Sequence, residues 1–380
     1  MFCIPYTILT LFLGALAFLS SNTEDPTYRS MFTAIGIVFF IFFFGFRGFI
    51  MSDWIVYHDL FYNCTFNDIK NFQLSSSGYI EPGFTLLMLI CKSIFNDYHF
   101  FVFISTIINT LLLLNFLRKH STNILLGLML FIVFDGLTIM VNLMRNAIAI
   151  LLFLNAITYL QHRKPIQYFS LCLIAITFHI SALIYIPIYF LFQLTIPRWL
   201  FCLIIIVFNL IFLLHIPLFA HILSYTGLDA EKIDKVVAYT QKMTTTSKLS
   251  IGFIERTLTS ILIICYFNRL HKIRKRAEIF INSYLMYAMF LLVFSDFPVI
   301  GHRMANLFAF SYWIIWGDLI RCFSIENNKR LFAIFIYCYC ALRIAGSTQL
   351  PDFEYDNILF GAKSYEERLY IHNKTFEETY

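Results

Sequence analysis

Residues 137–160 read LTIMVNLMRNAIAILLFLNAITYL, and a single charged side chain, Arg145, interrupts them. A membrane helix needs about 20 predominantly apolar residues, so this run crosses a bilayer or lies buried in a very large core. The rest of the chain excludes the second option. Of 380 residues 59% are hydrophobic and 13% charged, against about 25% charged in a soluble domain. So few charges cannot cover a water-soluble surface.

Outward from that run, further apolar stretches lie at Phe2–Leu19, Met31–Phe46, Gly83–Phe95, His99–Leu117 and Asn123–Phe134 on its N-terminal side. On the other side stand Ile166–Phe178, Ser181–Leu194, Trp199–Leu214, Ile251–Phe267, Ile279–Phe294, Ala305–Ile320 and Leu331–Ile344. The predicted fold is therefore all-α: a polytopic transmembrane helix bundle of about 12–13 segments, some short or re-entrant. Residues 1–345 form one integral membrane domain with extramembrane loops at 47–82 and 219–250, followed by a polar tail at 346–380. The apolar N-terminus lacks a basic leader region and reads as an uncleaved first membrane helix.

The net charge of +5 is carried in short clusters between apolar runs, as membrane proteins mark their cytoplasmic loops. No basic face suits nucleic acid. The nine cysteines show no metal-ligand spacing and mostly sit inside apolar runs, where Cys acts as a small hydrophobe. No metal site and no cofactor is expected.

With His162-Arg163-Lys164, Arg198, Arg269–Arg276 and Arg321–Arg330 in the cytoplasm, the turn near Asp135, the break at Phe178–Ser181, the Phe219–Ser250 loop and Asp296–Arg303 face outside. The same alternation places Arg47–Pro82 in the cytoplasm unless one short segment is re-entrant. Gly83–Phe95 is that candidate, because irregular backbone at membrane depth is tolerated where it lines a cavity.

Ionisable groups beside or inside spans are costly and mark sites. Four groups qualify. Arg47 is followed by Asp53, Tyr57 and Asp59, although an arginine at a helix end also snorkels. Glu81 precedes Pro82-Gly83, a pattern equally suited to an N-terminal cap. Asn142 and Arg145 are three apart, which puts them on one helix face. His179 and Ser181 lie where the run 166–194 is too long for one straight span. His302-Arg303 adds a second cationic turn. Arginine's planar fork matches phosphate oxygens, and carboxylates with a histidine can do acid–base work, so the residues point to an anionic, lipid-linked substrate.

The order of these motifs resembles the EpsG family, the Wzy-like polymerases of exopolysaccharide and O-antigen synthesis. The matching pieces are Phe46-Arg47-Gly48, Asp53-x-x-x-Tyr57-x-x-x-Phe61, Glu81-Pro82-Gly83-Phe84, Leu143-Met144-Arg145-Asn146, Phe178-His179-Ile180-Ser181, and Arg303 before an aromatic span. Asn146 stands where the family usually has Gln. The resemblance implies a multi-pass glycosyltransferase of the bacterial inner membrane. It would polymerise polyprenyl-diphosphate-linked oligosaccharide repeat units at the extracytoplasmic face. Asp53, Glu81 and His179 are then the catalytic candidates, and Arg47, Tyr57, Asn142, Arg145, Ser181 and Arg303 the substrate-binding ones. Implied partners are the lipid-linked oligosaccharide, membrane lipid and a chain-length regulator. A flippase of the same lipid-linked oligosaccharide is the alternative, since it needs the cationic cavity and no base.

Overall fold

The computed structural model describes residues 2–71, 80–218 and 250–379. It is 80% helical, without strands among those residues. Seven helices are long and apolar enough to cross a membrane, and five shorter apolar helices accompany them. The chain is a multi-pass membrane protein built as an all-α bundle. It divides into two compact units, Met1–Tyr189 with Arg330–Tyr380 and Phe190–Lys329, between which the expected single domain 1–345 is shared. Apart from Ser250, the expected loop 219–250 lies outside the described residues.

In the first unit the order is α1 (Ile4–Asn22), α2 (Pro26–Gly45), α3 (Trp54–Asn63), α4 (Phe66–Asn71), α5 (Pro82–Ile94) and α6 (Tyr98–His120). Then come α7 (Ile124–Phe131), α8 (Leu137–Val141), α9 (Met144–Gln161), α10 (Pro165–Phe178) and, across the unit boundary, α11 (Tyr185–Leu191). The second unit holds α12 (Arg198–Leu213), α13 (Ile251–Ile273), α14 (Ala277–Leu292), α15 (Pro298–Asn306) and α16 (Phe310–Cys322). The chain returns to the first unit through α17 (Glu326–Ser347) and ends with α18 (Tyr365–Thr379).

Hydrogen bonds fix which helix ends lie together in the first unit. Arg47 donates to Phe44 O (2.5 Å), Thr106 Oγ1 (3.1 Å) and Met140 O (3.2 Å), tying the end of α2 to α6 and α8. Tyr98 Oη donates to Met144 Sδ at 3.7 Å, so α6 starts where α9 starts. At the opposite end Asn123 Nδ2 donates to Ala17 O and Ser21 Oγ, and His120 meets Thr158 at 3.3 Å. That end carries Arg118, Lys119, Arg163 and Lys164 and is called the basic end below. The end of α2 and the start of α6 both lie at the other end, and α5, with 13 residues and a rise of only about 20 Å, is shorter than the seven long helices. The start of α5 at Arg145 and its end before Tyr98 put both ends of this helix at that one end of the unit; residues 72–79 of the expected 47–82 loop lie outside the described residues.

Two expected boundaries move. The break between spans is at Asn142-Leu143, where Leu143 has φ −96° and ψ 50°, and not at Asp135. Asp135 (φ 66°) is a kink inside one span, Ile124–Val141. Arg343 of α17 donates from Nε to Val133 O at 3.2 Å, satisfying a carbonyl beside the kink as buried backbone demands. Arg303, expected in a turn, lies on the short helix α15, with a further break before α16.

Candidate functional site

The sequence Glu81-Pro82-Gly83 starts α5 against the last turn of α10. A Cβ on Gly83 would stand 2.5 Å from Thr177 Oγ1 and 2.8 Å from Thr177 O, closer than real contacts allow, so glycine is what lets the two backbones meet. Pro82 at the first helical position costs no hydrogen bond. Glu81 makes no side-chain cap. Its side chain, almost wholly buried, instead accepts from Arg145 Nη1 (2.9 Å) through Oε2 and from Ile180 N (3.0 Å) through Oε1. The carboxylate thus joins the starts of α5 and α9 to the break after α10.

Arg145 occupies the first turn of α9, rather than the interior of a continuous helix. Its Nε donates to Tyr57 Oη at 3.3 Å, and its guanidinium carbon is 5.7 Å from the Tyr57 ring centre. The side chain remains 24% exposed while that of Glu81 is 4% exposed, so the guanidinium is partly open where its carboxylate partner is closed off. Burial pushes the Tyr57 phenol above its ordinary pKa; Arg145 opposes that shift and Asp53, one helical turn earlier, adds to it.

Asn142 and Arg145 do not share a helix, because the backbone breaks between them. Asn142 Oδ1 accepts from Ser52 N (3.2 Å) and Asp53 N (2.9 Å), fixing the start of α3 and hence Asp53 and Tyr57. Asn142 is a positioning residue here. Arg47 likewise is 4% exposed, with its guanidinium bonded to protein oxygens, and acts as a tie between spans.

At the break, His179 is extended (φ −159°, ψ 129°) and caps the 3-10 turn Ile180–Ile184. Ser181 N donates to His179 Nδ1 at 3.1 Å, and Ser181 Oγ lies 2.8 Å from the same nitrogen. Since Nδ1 accepts, the neutral ring carries its proton on Nε2. That tautomer suits hydrogen-bond donation to an anion better than proton abstraction. Ser181 Oγ also lies 3.0 Å from Asn146 Oδ1, its one proton serving either that oxygen or His179 Nδ1, so Asn146 belongs to the cluster although its residue type alone did not mark it as a site residue.

The site end is also met by a segment that the sequence reading treated as a tail. Gly48 N donates to Asp356 O (2.9 Å), Met51 N to Asp352 O (2.8 Å) and Ile358 N to Phe46 O (2.9 Å). Tyr365 stacks on His58 at 4.4 Å and meets Trp54 edge-on at 5.3 Å. Buried Arg368 bonds Glu354 at 3.0 Å. The segment's mark in the sequence is the acidic set Asp352, Glu354 and Asp356 followed by basic Lys363 and Arg368.

Asp53, Tyr57, Glu81, Asn142, Arg145, His179 and Ser181 therefore gather in the first unit. Arg303 is exposed on α15 of the second unit. The sequence profile of the EpsG family matches residues 30–358, a stretch containing every one of these residues. The chain belongs to the EpsG family. No curated protein and no solved structure matches it. Within this EpsG-family chain, the matched region ends at Ile358, whose amide bonds the end of α2.

Proposed function

We propose that this EpsG-family protein is a bacterial inner-membrane glycosyltransferase that polymerises polyprenyl-diphosphate-linked oligosaccharide repeat units. The observation that carries the reading is the Tyr57–Arg145–Glu81–Ile180 network, which aims a partly exposed arginine fork at the end of a lipid-embedded bundle. Lys and Arg cluster at the opposite, basic end, and that bias supports an extracytoplasmic orientation for the site.

In the reaction, a sugar hydroxyl of one lipid-linked unit attacks the anomeric carbon of another. The anomeric C–O bond breaks and the polyprenyl diphosphate leaves with the electron pair. Arg145 stabilises the charge that develops on that leaving group, as preorganised donors do, and Glu81 holds the fork in place. His179 donates from Nε2 to the same anion, with Ser181 and Asn146 orienting it. The hydroxyl proton passes to Asp53, the carboxylate beside Tyr57.

The decisive experiment gives the purified protein a lipid-linked repeat unit in detergent and resolves the products by glycan length. Longer lipid-linked glycans support the reading. Transport of unaltered repeats across a vesicle membrane, with no elongation, supports a flippase instead.

A further inference from the structure

A cleft of about 170 Å³ opens in the second unit between the end of α12, the start of α13 and the turn from α14 to α15. Arg256, His302, Ser250 and Ser295 line it, and Phe290 and Phe294 form its apolar wall. It lies away from the end bearing Arg269, Arg274 and Arg321, where Arg269 bonds Cys322 O at 2.6 Å and Arg274 pairs with Asp318.

Its polar lining is basic or neutral, Arg256 and His302 with two serine hydroxyls, although the carboxylates Glu255 and Asp296 adjoin Arg256 and Ser295 in the chain. Arg256 Nε is buried and has no hydrogen-bond partner among the described residues. The backbone beneath it is fixed, because Arg256 O accepts from Ser260 Oγ (2.9 Å) and Tyr284 Oη (2.6 Å). Ser250 caps α13 by accepting Phe253 N at 3.2 Å, which leaves its own hydroxyl proton to donate. Two helices, α13 and α15, begin at the cleft, and helix N-termini present unsatisfied N–H groups with partial positive charge. An arginine fork, two hydroxyls and two helix starts favour an oxyanion with several acceptor oxygens, of which phosphate is the natural match. The aromatic wall of Phe290 and Phe294 favours an apolar chain attached to that anion.

We propose that this cleft binds the phosphate headgroup of a membrane amphiphile, with Arg256 on the phosphate oxygens and the chain running along Phe290 and Phe294. The proposal goes beyond the reading above and holds whether or not the protein elongates glycans.

The test is calorimetric titration of the purified full-length protein in detergent with farnesyl diphosphate, inorganic diphosphate and a short-chain phosphatidylglycerol. An Arg145→Gln background keeps the first-unit arginine from contributing. Farnesyl diphosphate is expected to bind about tenfold more tightly than inorganic diphosphate, from burial of part of its chain. Arg256→Gln is expected to weaken it about tenfold, the scale of one lost hydrogen bond to a charged group, and Arg256→Lys to weaken it less. Ser295→Trp, which fills the cleft without removing the cation, is expected to block binding. Displacement by phosphatidylglycerol assigns the headgroup to an ordinary phospholipid, and resistance to it assigns an isoprenoid phosphate; either supports the proposal. Unchanged affinity in Arg256→Gln and Ser295→Trp overturns it, as does equal affinity for farnesyl and inorganic diphosphate.

Discussion

Glu81 and Arg145, 64 positions apart in the chain, meet in an ion pair of 2.9 Å, and the second carboxylate oxygen of Glu81 receives the amide of Ile180. Three helix ends are thereby referred to one carboxylate. The arrangement is physically demanding, because a nearly buried carboxylate without its partners keeps its desolvation cost.

Glu81→Gln retains the shape and loses the charge. It is expected to lower polymerisation by about 100-fold, the scale of a displaced oxyanion donor. Combined with Arg145→Gln it should cost little more than either change alone, since both remove the same unit. A double-mutant cycle on elongation rate checks this, and additive effects would show that the two residues act separately.

Arg145→Lys keeps the cation and loses the fork. Elongation is expected to fall by about 100-fold, with protein abundance unchanged. Retention of full rate at normal abundance would remove Arg145 from the diphosphate.

His179→Ala should leave single lipid-linked repeats accumulating on the outer face, with little long polymer. A transport defect would trap them on the cytoplasmic face. Sidedness assayed alongside protein level separates these outcomes from a merely structural histidine, whose loss would lower abundance and rate together.

Tyr57 is raised above its ordinary pKa by burial, so its phenol stays protonated throughout the physiological range and contributes no limb to the pH profile. Tyr57→Phe is therefore expected to lower elongation several-fold, about 1 kcal/mol for one hydrogen bond, without shifting either limb. A shifted alkaline limb in the variant would contradict this.

The C-terminal segment should be on the same side as the site. In a cysteine-free background, Ser364→Cys and Ile180→Cys are expected to react with a membrane-impermeant maleimide in intact cells. Labelling of one only after membrane disruption would break the shared side. Arg368→Ala, which removes one of the two cations on Glu354 and leaves Lys363 at 2.6 Å, is expected to lower stability by about 1 kcal/mol, read as an earlier thermal transition of the detergent-solubilised protein.

Several features of this protein were legible in its residues alone. Apolar run length and charge poverty settle an all-α membrane bundle, because an unsatisfied backbone group in lipid is too costly for any other open structure. The break at His179 follows from a run too long for one span, and the six motifs are those of the EpsG family. Tertiary structure decided the rest. The 137–160 run divides at Asn142 because the Asn142 side chain is recruited to cap α3, 89 residues away at Asp53, and no local pattern carries that information. Glu81, readable equally as a helix cap and as a catalytic candidate, pairs with Arg145; Arg47, read as a substrate contact, bonds protein oxygens of three spans. The C-terminal segment looked like a solvated tail, yet its backbone pairs with residues 46–51. In each case residues near in space but far in sequence compete for the same polar group, and which partner wins depends on the packing that brings them together.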